Sequence, residues 1–563
     1  MISSILSKAI VNAGFSSPDV VPYTRASAER GDFATSVAFG LAKTSGITSG
    51  DLAAKIVTEL QKNDSIASAE SAGAGFINFS LTDSWIADQL NQFNGFEHIL
   101  TGRKYIIEYC SPNIAKPMHV GHLRTTILGQ VLVNLYRALG AEVVAWSHPG
   151  DWGVQFGKLI LGWEKWGNEA DLEVNPIDEL LRVYIKFHQE AKLNSALDSQ
   201  AKETFRSLQN GDRHYLSFWQ RFSDLSLIEF NRMFDLLGVK FDIWRGESAY
   251  NEDLQPLVDL SLEKGVAQIS DGAVIIPLEG EKTPMLIRKS DGATLYATSD
   301  LVSIASRVEE IHPDEIIYVV GHEQSLHLKQ LFLAAEKLSD AGVYGAGFVL
   351  PKLTHVSYGF FRLTSGKMST RQGEMIRLDE VLDQAIIKAD ELLVSKQSAL
   401  SDNERRELAQ KIGIAAVKYT DLVHDRQTDV VFDWSKMFAL DGNSIIYLFY
   451  AFARCNSLLR EAGEDHVQHQ DQTMPWESLE RELVLELAEF QTALQKSINN
   501  YDPHHLLNHA YNVASQFSRL YNNLPILKSE EPFRSRRLKL THAVKDRLQF
   551  VFNVLGVDAP ERL

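Results

Sequence analysis

The apolar positions of this chain change their spacing along its length and divide it into four zones. In residues 1 to 97, short helical stretches accompany Gly75–Leu81 (GFINFSL), where apolar and polar residues alternate as in a half-buried strand. The opening MISSILSKAI has Lys8 within its apolar face and no small-residue cleavage site. It reads as an amphipathic first helix and not as a secretory signal. The second zone, 98 to 379, switches repeatedly between β-rich and helical runs. Tyr105–Cys110 (YIIEYC) predicts a strand, and Val120–Leu139 a helix with Gly140 at its end. Val143–Trp146 predicts another strand before a glycine-containing loop and a helix, and Ile316–Gly321 (IIYVVG) precedes a helical Ser325–Leu338. Such alternation predicts an α/β fold built on a Rossmann-type, doubly wound parallel sheet. Residues from about 160 to 270 interrupt it with mostly helical material, as an insertion does.

Beyond 380 the pattern turns helical, with a connecting region over 380–440 and a bundle over 441–563. In the bundle Trp476–Ile498, His504–Asn522 and Arg536–Leu555 repeat apolar residues at the helical period. The polar stretch Gly463–Gln472, with Pro475, reads as a loop. The expected architecture is an N-terminal α+β domain, a parallel-sheet α/β domain and a C-terminal all-α bundle.

A length of 563 residues suits several domains, and 45% apolar with 23% charged residues excludes a disordered chain. Fifty-six basic against 73 acidic residues leave a net charge of −17, which excludes a generally basic coat for nucleic acid but not a local basic face. Two cysteines, Cys110 and Cys455, supply neither a disulfide framework nor a zinc ligand set, and fit a reducing compartment. The most apolar stretch, Ile445–Cys455, is shorter than the roughly 18 residues a membrane span needs. A cytoplasmic protein without membrane association is expected.

Candidate chemistry begins just after the first strong strand, at Ser111-Pro112-Asn113-Ile114-Ala115-Lys116-Pro117-Met118-His119-Val120-Gly121-His122. Ligands of doubly wound sheets sit beyond the carboxyl ends of the strands, where helix N-termini attract phosphate. The prolines keep the approach extended, so His119 and His122 fall on one face of a first helical turn. There their N–H groups can reach phosphate oxygens; Gly121 lets a flat base approach, and Lys116 adds positive charge.

The string SPNIAKPMHVGHLRTT resembles the HIGH-type ATP motif of class I aminoacyl-tRNA synthetases, in the form found in arginyl-tRNA synthetases. The resemblance implies that His119, Gly121 and His122 bind ATP and that the two histidines stabilise the transferring phosphoryl centre. It predicts a lysine-bearing loop downstream, matched by Ser365-Gly366-Lys367-Met368-Ser369-Thr370-Arg371 within 366–373. Lys367, Met368 and Ser369 then bind ATP. The class pattern has a second lysine where this chain has Thr370, and the family compensates with a lysine just before the HIGH motif, here Lys116.

Glu108, Asn113, Tyr296, Asp300 and Gln324 match the family's arginine-binding positions. A guanidinium suits planar carboxylates and a flat aromatic neighbour. The resemblance implies that Asp300 pairs with the guanidinium and that Tyr296 packs on the substrate. Glu108, Asn113 and Gln324 bind the rest of it. Gly150-Asp151-Trp152-Gly153-Val154-Gln155-Phe156-Gly157 also looks family-like, with turn chemistry an equal reading, and Glu247-Ser248 is a family-like patch without a role. In the tail, Tyr447, Tyr450 and Tyr521 match anticodon contacts; Arg536 and Arg537 belong to a basic stretch from Arg534 to Arg547 suited to phosphates. Phe76 and Asn78 match a domain that contacts the tRNA elbow. Pro525 and the terminal Leu563 depart from the family's usual residues.

The implied activity is arginine–tRNA ligation with ATP, carried as its Mg²⁺ complex, and no zinc. The partners are L-arginine and tRNA(Arg), for a monomer whose activation step depends on bound tRNA. A class I synthetase for another amino acid, or a silent RNA-binding paralogue, are the alternatives. Two carboxylates at 108 and 300 speak against a glutamine pocket, and the intact phosphate motifs against a silent protein.

Overall fold

A computed structural model describes the chain except residues 1, 20, 27, 92–97, 364–375, 396–399, 464–474 and 561–563. The lysine-bearing loop expected over 366–373, the polar stretch of 464–472 and Leu563 therefore lie outside the described residues.

Five parallel strands form the central sheet, in the order Lys352–Val356, Glu315–Val319, Lys104–Tyr109, Glu142–Ser147, Ile243–Trp244. Chain order reverses between Lys104–Tyr109 and Glu315–Val319, and the crevice beyond their carboxyl ends is the switch point of a doubly wound sheet. Ile106, Ile107, Ile316 and Ile317 are fully buried, as strands covered by helices on both faces require.

The helix Val120–Ala138 packs against the first strand. A Cβ on Gly129 would lie 2.1 Å from Tyr109 Cγ, so this glycine permits the close approach. Gly140 lies just past the helix with φ +89, a conformation that favours glycine and ends the turn.

Helical material interrupts the sheet over Val154–Leu237, with five helices ending in Arg213–Leu237. The span expected as mostly helical also holds the edge strand Ile243–Trp244 and begins an antiparallel sheet of Gln268–Ser270, Ala273–Ile276 and Met285–Arg288. These short strands escape periodicity because two to four residues show hardly one alternation.

At the N-terminus, Ile2–Asn12 is the expected first helix, burying Ile2, Leu6, Ala9 and Ile10. It belongs to a domain with a four-stranded antiparallel sheet, in which Phe76–Leu81 is an inner strand. The C-terminal bundle contains Ile445–Ala462, Ser478–Ala488, Phe490–Asn499, His504–Asn523 and Phe533–Leu555. The single helix expected over Trp476–Ile498 is two, parted at Glu489.

The connecting region carries a strand, Val430–Phe432, that pairs in parallel with Phe361–Leu363 of the α/β domain. The bundle's last helix ends on the HVGH helix: Asn134 Nδ2 donates to Val554 O at 3.0 Å. Beside it Lys418 Nζ donates to Gly556 O at 2.9 Å, and burial pulls this ammonium down to about 8. No described helix is long and apolar enough to cross a membrane.

Candidate active site

A cavity of about 420 Å³ opens at the switch point. Its walls are the start of the HVGH helix, the strand ends at Glu108 and Val319, and the turns at Tyr296 and Gln324, with Tyr358–Phe361 closing one side. Among its described lining residues Arg124 is the one lysine or arginine.

One face is made of imidazoles. His119 caps the helix Val120–Ala138, its Nδ1 accepting from Gly121 N at 3.1 Å, while His122 Nδ1 accepts from His119 N at 3.1 Å. The helix start thus satisfies its own orphan N–H groups with ring nitrogens. Each ring accepts at Nδ1, so a neutral ring keeps its proton on Nε2 as a donor. The rings stack at 3.9 Å. Burial, then the charge of Lys116, lowers His119; burial, then His119, lowers His122 to about 3. At neutral pH His122 is therefore an uncharged donor, and depression of His119 favours the same state.

The opposite face is acidic. Asp300, one turn into the helix Tyr296–Ile311, accepts from His327 Nε2 at 2.7 Å and lies 3.9 Å from His148 Nε2. Glu247 joins it in the lining. Burial first, then the negative charges of Asp300 and Asp151, pushes Glu247 up to about 8. Asp151 in turn accepts from Ser248 N at 2.8 Å and Ser248 Oγ at 2.6 Å, which anchors the Glu247 turn. Glu108 lines the same cavity but is paired at 2.5 Å with the fully buried Arg307, which stacks over Trp146. Asp300, flanked by two imidazoles, and Glu247 have no lysine or arginine partner among the described residues, a combination that suits a cation.

Three family models cover this chain. A class I tRNA synthetase (R) catalytic domain matches residues 87–434, an arginyl-tRNA synthetase N-terminal domain 1–81, and a DALR anticodon-binding domain 448–563. The arginine–tRNA ligase of Clostridium perfringens is 36% identical over 545 residues, covering 95% of this chain and 94% of its own length. That of Streptococcus pneumoniae is 36% identical over 558 residues, covering 96% and 95%. The chain belongs to the arginyl-tRNA synthetases.

In fold it is similar to the solved arginyl-tRNA synthetase of Plasmodium falciparum, at a TM-score of 0.83 and 23% identity over 100% of this chain and 98% of that one. It is an arginine–tRNA ligase, a class I aminoacyl-tRNA synthetase that uses ATP, and its substrates are arginine and tRNA.

Within this synthetase the cavity gathers eight of the expected residues: Glu108, Asn113, His119, Gly121, His122, Tyr296, Asp300 and Gln324. Tyr296 is 61% exposed, with its ring 5.0 Å from that of His327. Gln324 ends a short turn before the helix Ser325–Asp340. Lys116 is not in the lining; its Nζ lies over the Tyr184 ring at 5.1 Å, on the inserted helix Pro176–Leu193. Lys367, Met368 and Ser369 lie outside the described residues.

The Gly150–Gly157 motif takes a definite place. Gly150 N donates to Pro112 O at 3.2 Å, and a Cβ on Gly150 would lie 2.5 Å from Asn113 Oδ1, so the motif buttresses the loop that presents Asn113.

The residues expected to meet tRNA divide in two. Phe76 is 49% exposed and Tyr521 39%, the latter under the Arg454 guanidinium at 4.4 Å. Tyr447 and Tyr450 are half-buried against the bundle core, and Tyr447 meets Tyr511 at 5.5 Å.

Asn78, Arg536 and Arg537 require correction, because all three are buried. Arg536 and Arg537 both pair with the fully buried Glu480, at 3.1 and 2.7 Å, and Arg537 also donates to Pro525 O at 2.7 Å. Arg547, in the same basic stretch, packs over Phe490. The stretch turns much of its charge inward, where sequence spacing alone shows only a run of cations.

The sequence reading missed His148, Arg307 and His327 and gave Glu247 no role. His327, three residues past Gln324, and Glu247, within its family-like patch, carried a local signal. His148 and Arg307 matter through partners far away in sequence, Asp300 and Glu108.

Proposed function

We propose that arginine lies with its guanidinium between Asp300 and Glu247 and over Tyr296, and that Asn113 and Gln324 hold its amino acid end, with Glu108 at their side. ATP enters as its magnesium complex, the metal travelling with the substrate, and lays its phosphates against the HVGH helix. The arginine carboxylate attacks the α-phosphorus in line; the bond to the β-phosphate oxygen breaks, and pyrophosphate leaves. Neutral His119 and His122 donate Nε2–H to the phosphate oxygens as charge develops, without a proton of their own to lose first. Lys116 and Lys367 add positive charge, with Met368 and Ser369 beside the nucleotide. The 2′-hydroxyl of the terminal adenosine then takes the arginyl group and AMP leaves. Phe76 contacts the tRNA elbow, and Tyr447, Tyr450 and Tyr521 contact the anticodon. The enzyme works without zinc, as a monomer, in the cytoplasm. It needs no separate editing site, because a neutral competitor leaves buried acidic groups unmatched.

The observation that carries this reading is the cavity's polarity: neutral donors on one face, and on the other two acidic side chains, Asp300 and Glu247, with no lysine or arginine partner among the described residues. Asp300→Asn tests it. An unpaired buried charge costs on the order of 3–5 kcal/mol, so kcat/KM for arginine in pyrophosphate exchange should fall by roughly two to three orders of magnitude. ATP affinity should hold. Arginine kinetics unchanged within about twofold would refute the assignment.

A further inference from the structure

We infer that Arg124 is a positioning residue for ATP: it sets the gap between the HVGH helix and the facing wall Tyr358–Phe361. This rests on the placement of ATP against His119 and His122.

Arg124 follows His122 by two positions and is 3% exposed. Its Nη1 donates to Gly359 O at 2.7 Å and to Thr428 O at 2.9 Å, and its Nε meets Asp421 Oδ1 at 2.8 Å. The guanidinium also lies over the Tyr358 ring at 6.0 Å. One side chain on the helix therefore holds three other segments of the chain.

The wall is pinned from behind as well. Gly359 N donates to Arg426 O at 2.9 Å, Phe360 N to Asp429 Oδ1 at 2.8 Å, and Val430 N to Phe360 O at 3.0 Å. A Cβ on Gly359 would lie 2.7 Å from Thr428 O, so the backbones touch with no side chain between them. The wall cannot retreat from the helix without breaking the bonds of Arg124. Both the histidines and Tyr358–Phe361 line the cavity, so the Arg124 bonds fix its width on the phosphate side.

Stability does not explain the choice of residue. A buried ion pair is a poor stabiliser compared with apolar side chains of the same volume. Its value here is geometric, because a planar guanidinium holds two carbonyls and a carboxylate at fixed angles and a lysine cannot. Tyr296, Asp300 and Gln324 stand on other elements, and none of the bonds of Arg124 described above reaches them.

The test is equilibrium binding of ATP and of arginine, each alone, to the full-length enzyme by calorimetry. Arg124→Lys keeps the charge but loses the fork. It should weaken ATP by on the order of ten- to a hundredfold, the scale of a small misplacement of binding groups, and leave arginine within about twofold. The double variant Arg124→Gln with Asp421→Asn leaves no buried unpaired charge and should show the same split, which keeps the test decisive if the lysine variant folds poorly. ATP affinity within about twofold of wild type in both would overturn the inference, as would a parallel loss of ATP and arginine affinity, the mark of a structural role. His122→Ala separates the two readings: if it too leaves ATP affinity unchanged, the placement of ATP has failed, and not the Arg124 geometry alone.

Discussion

At the residue scale the site depends on keeping charges where the substrates need them. Burial and the charge of Lys116 lower His119, and burial and His119 lower His122, so both rings stay uncharged donors near neutral pH. Glu247 behaves in the opposite way. Raised to about 8, it carries a proton at neutral pH in the empty cavity and must lose it to pair with a guanidinium. Arginine affinity should therefore rise with pH up to about 8, and fall by up to about tenfold per unit below it. Calorimetry in buffers of different ionisation enthalpy should detect proton release on binding near pH 7, and Glu247→Gln should flatten the profile. A flat profile in the wild type would remove Glu247 from the guanidinium site.

At the scale of elements, fit between neighbours decides more than propensity. The HVGH helix lies so close to its strand that Gly129 has no room for a methyl group over Tyr109. Gly129→Ala should lower stability by roughly 1–3 kcal/mol through overpacking, despite the better helix propensity of alanine. Since Tyr109 follows Glu108, exchange activity should fall with it, and a raised melting temperature would contradict this account.

The bundle's last helix, Phe533–Leu555, shows the same point through charge. Its basic residues read as a phosphate face by spacing, yet Arg536 and Arg537 turn inward to Glu480. Glu480→Gln leaves two buried guanidinium groups sharing a neutral partner, and should destabilise the bundle by roughly 3–5 kcal/mol. Thermal unfolding checks this, and an unchanged midpoint would restore these arginines to the surface.

At the scale of the molecule, the bundle and the cavity share one framework. Tyr109 donates to Gln130 at 2.8 Å, Gln130 to Asn134 at 2.8 Å, and Asn134 to the carbonyl of Val554 at the end of the bundle. On the other side Arg426 Nε donates to Asn500 O at 3.3 Å, while its backbone oxygen accepts from Gly359 of the cavity wall. A tRNA gripped by the bundle can bias the cavity only through a difference in affinity between two of its states, and these bonds are where such a difference would be felt. Pyrophosphate exchange with arginine and ATP should accordingly be negligible in enzyme freed of tRNA and appear when tRNA(Arg) is added. Full exchange without tRNA would refute the dependence and leave the arginine specificity standing.

The capped start of the HVGH helix, the alternation of strand and helix and the helical tail were legible in the sequence, because each is a local pattern. His119 and His122 needed only helical spacing and a preceding strand to share a face. Tyr296 and Asp300 share a face by their i, i+4 spacing, but the family resemblance singled them out. The surroundings of the cavity's charged groups were not local. That Arg307 neutralises Glu108, that Asp151 anchors the turn of Glu247, and that His148 and His327 flank Asp300 are meetings of segments tens to hundreds of residues apart. Whether Arg536 faces water or Glu480 likewise depends on which side of a helix the rest of the bundle covers, which neighbouring residues along the chain cannot specify. Local spacing determined which side chains stand at the mouth of the sheet; burial and long-range charge, available only in the folded chain, decided which of them remain free to hold a cation.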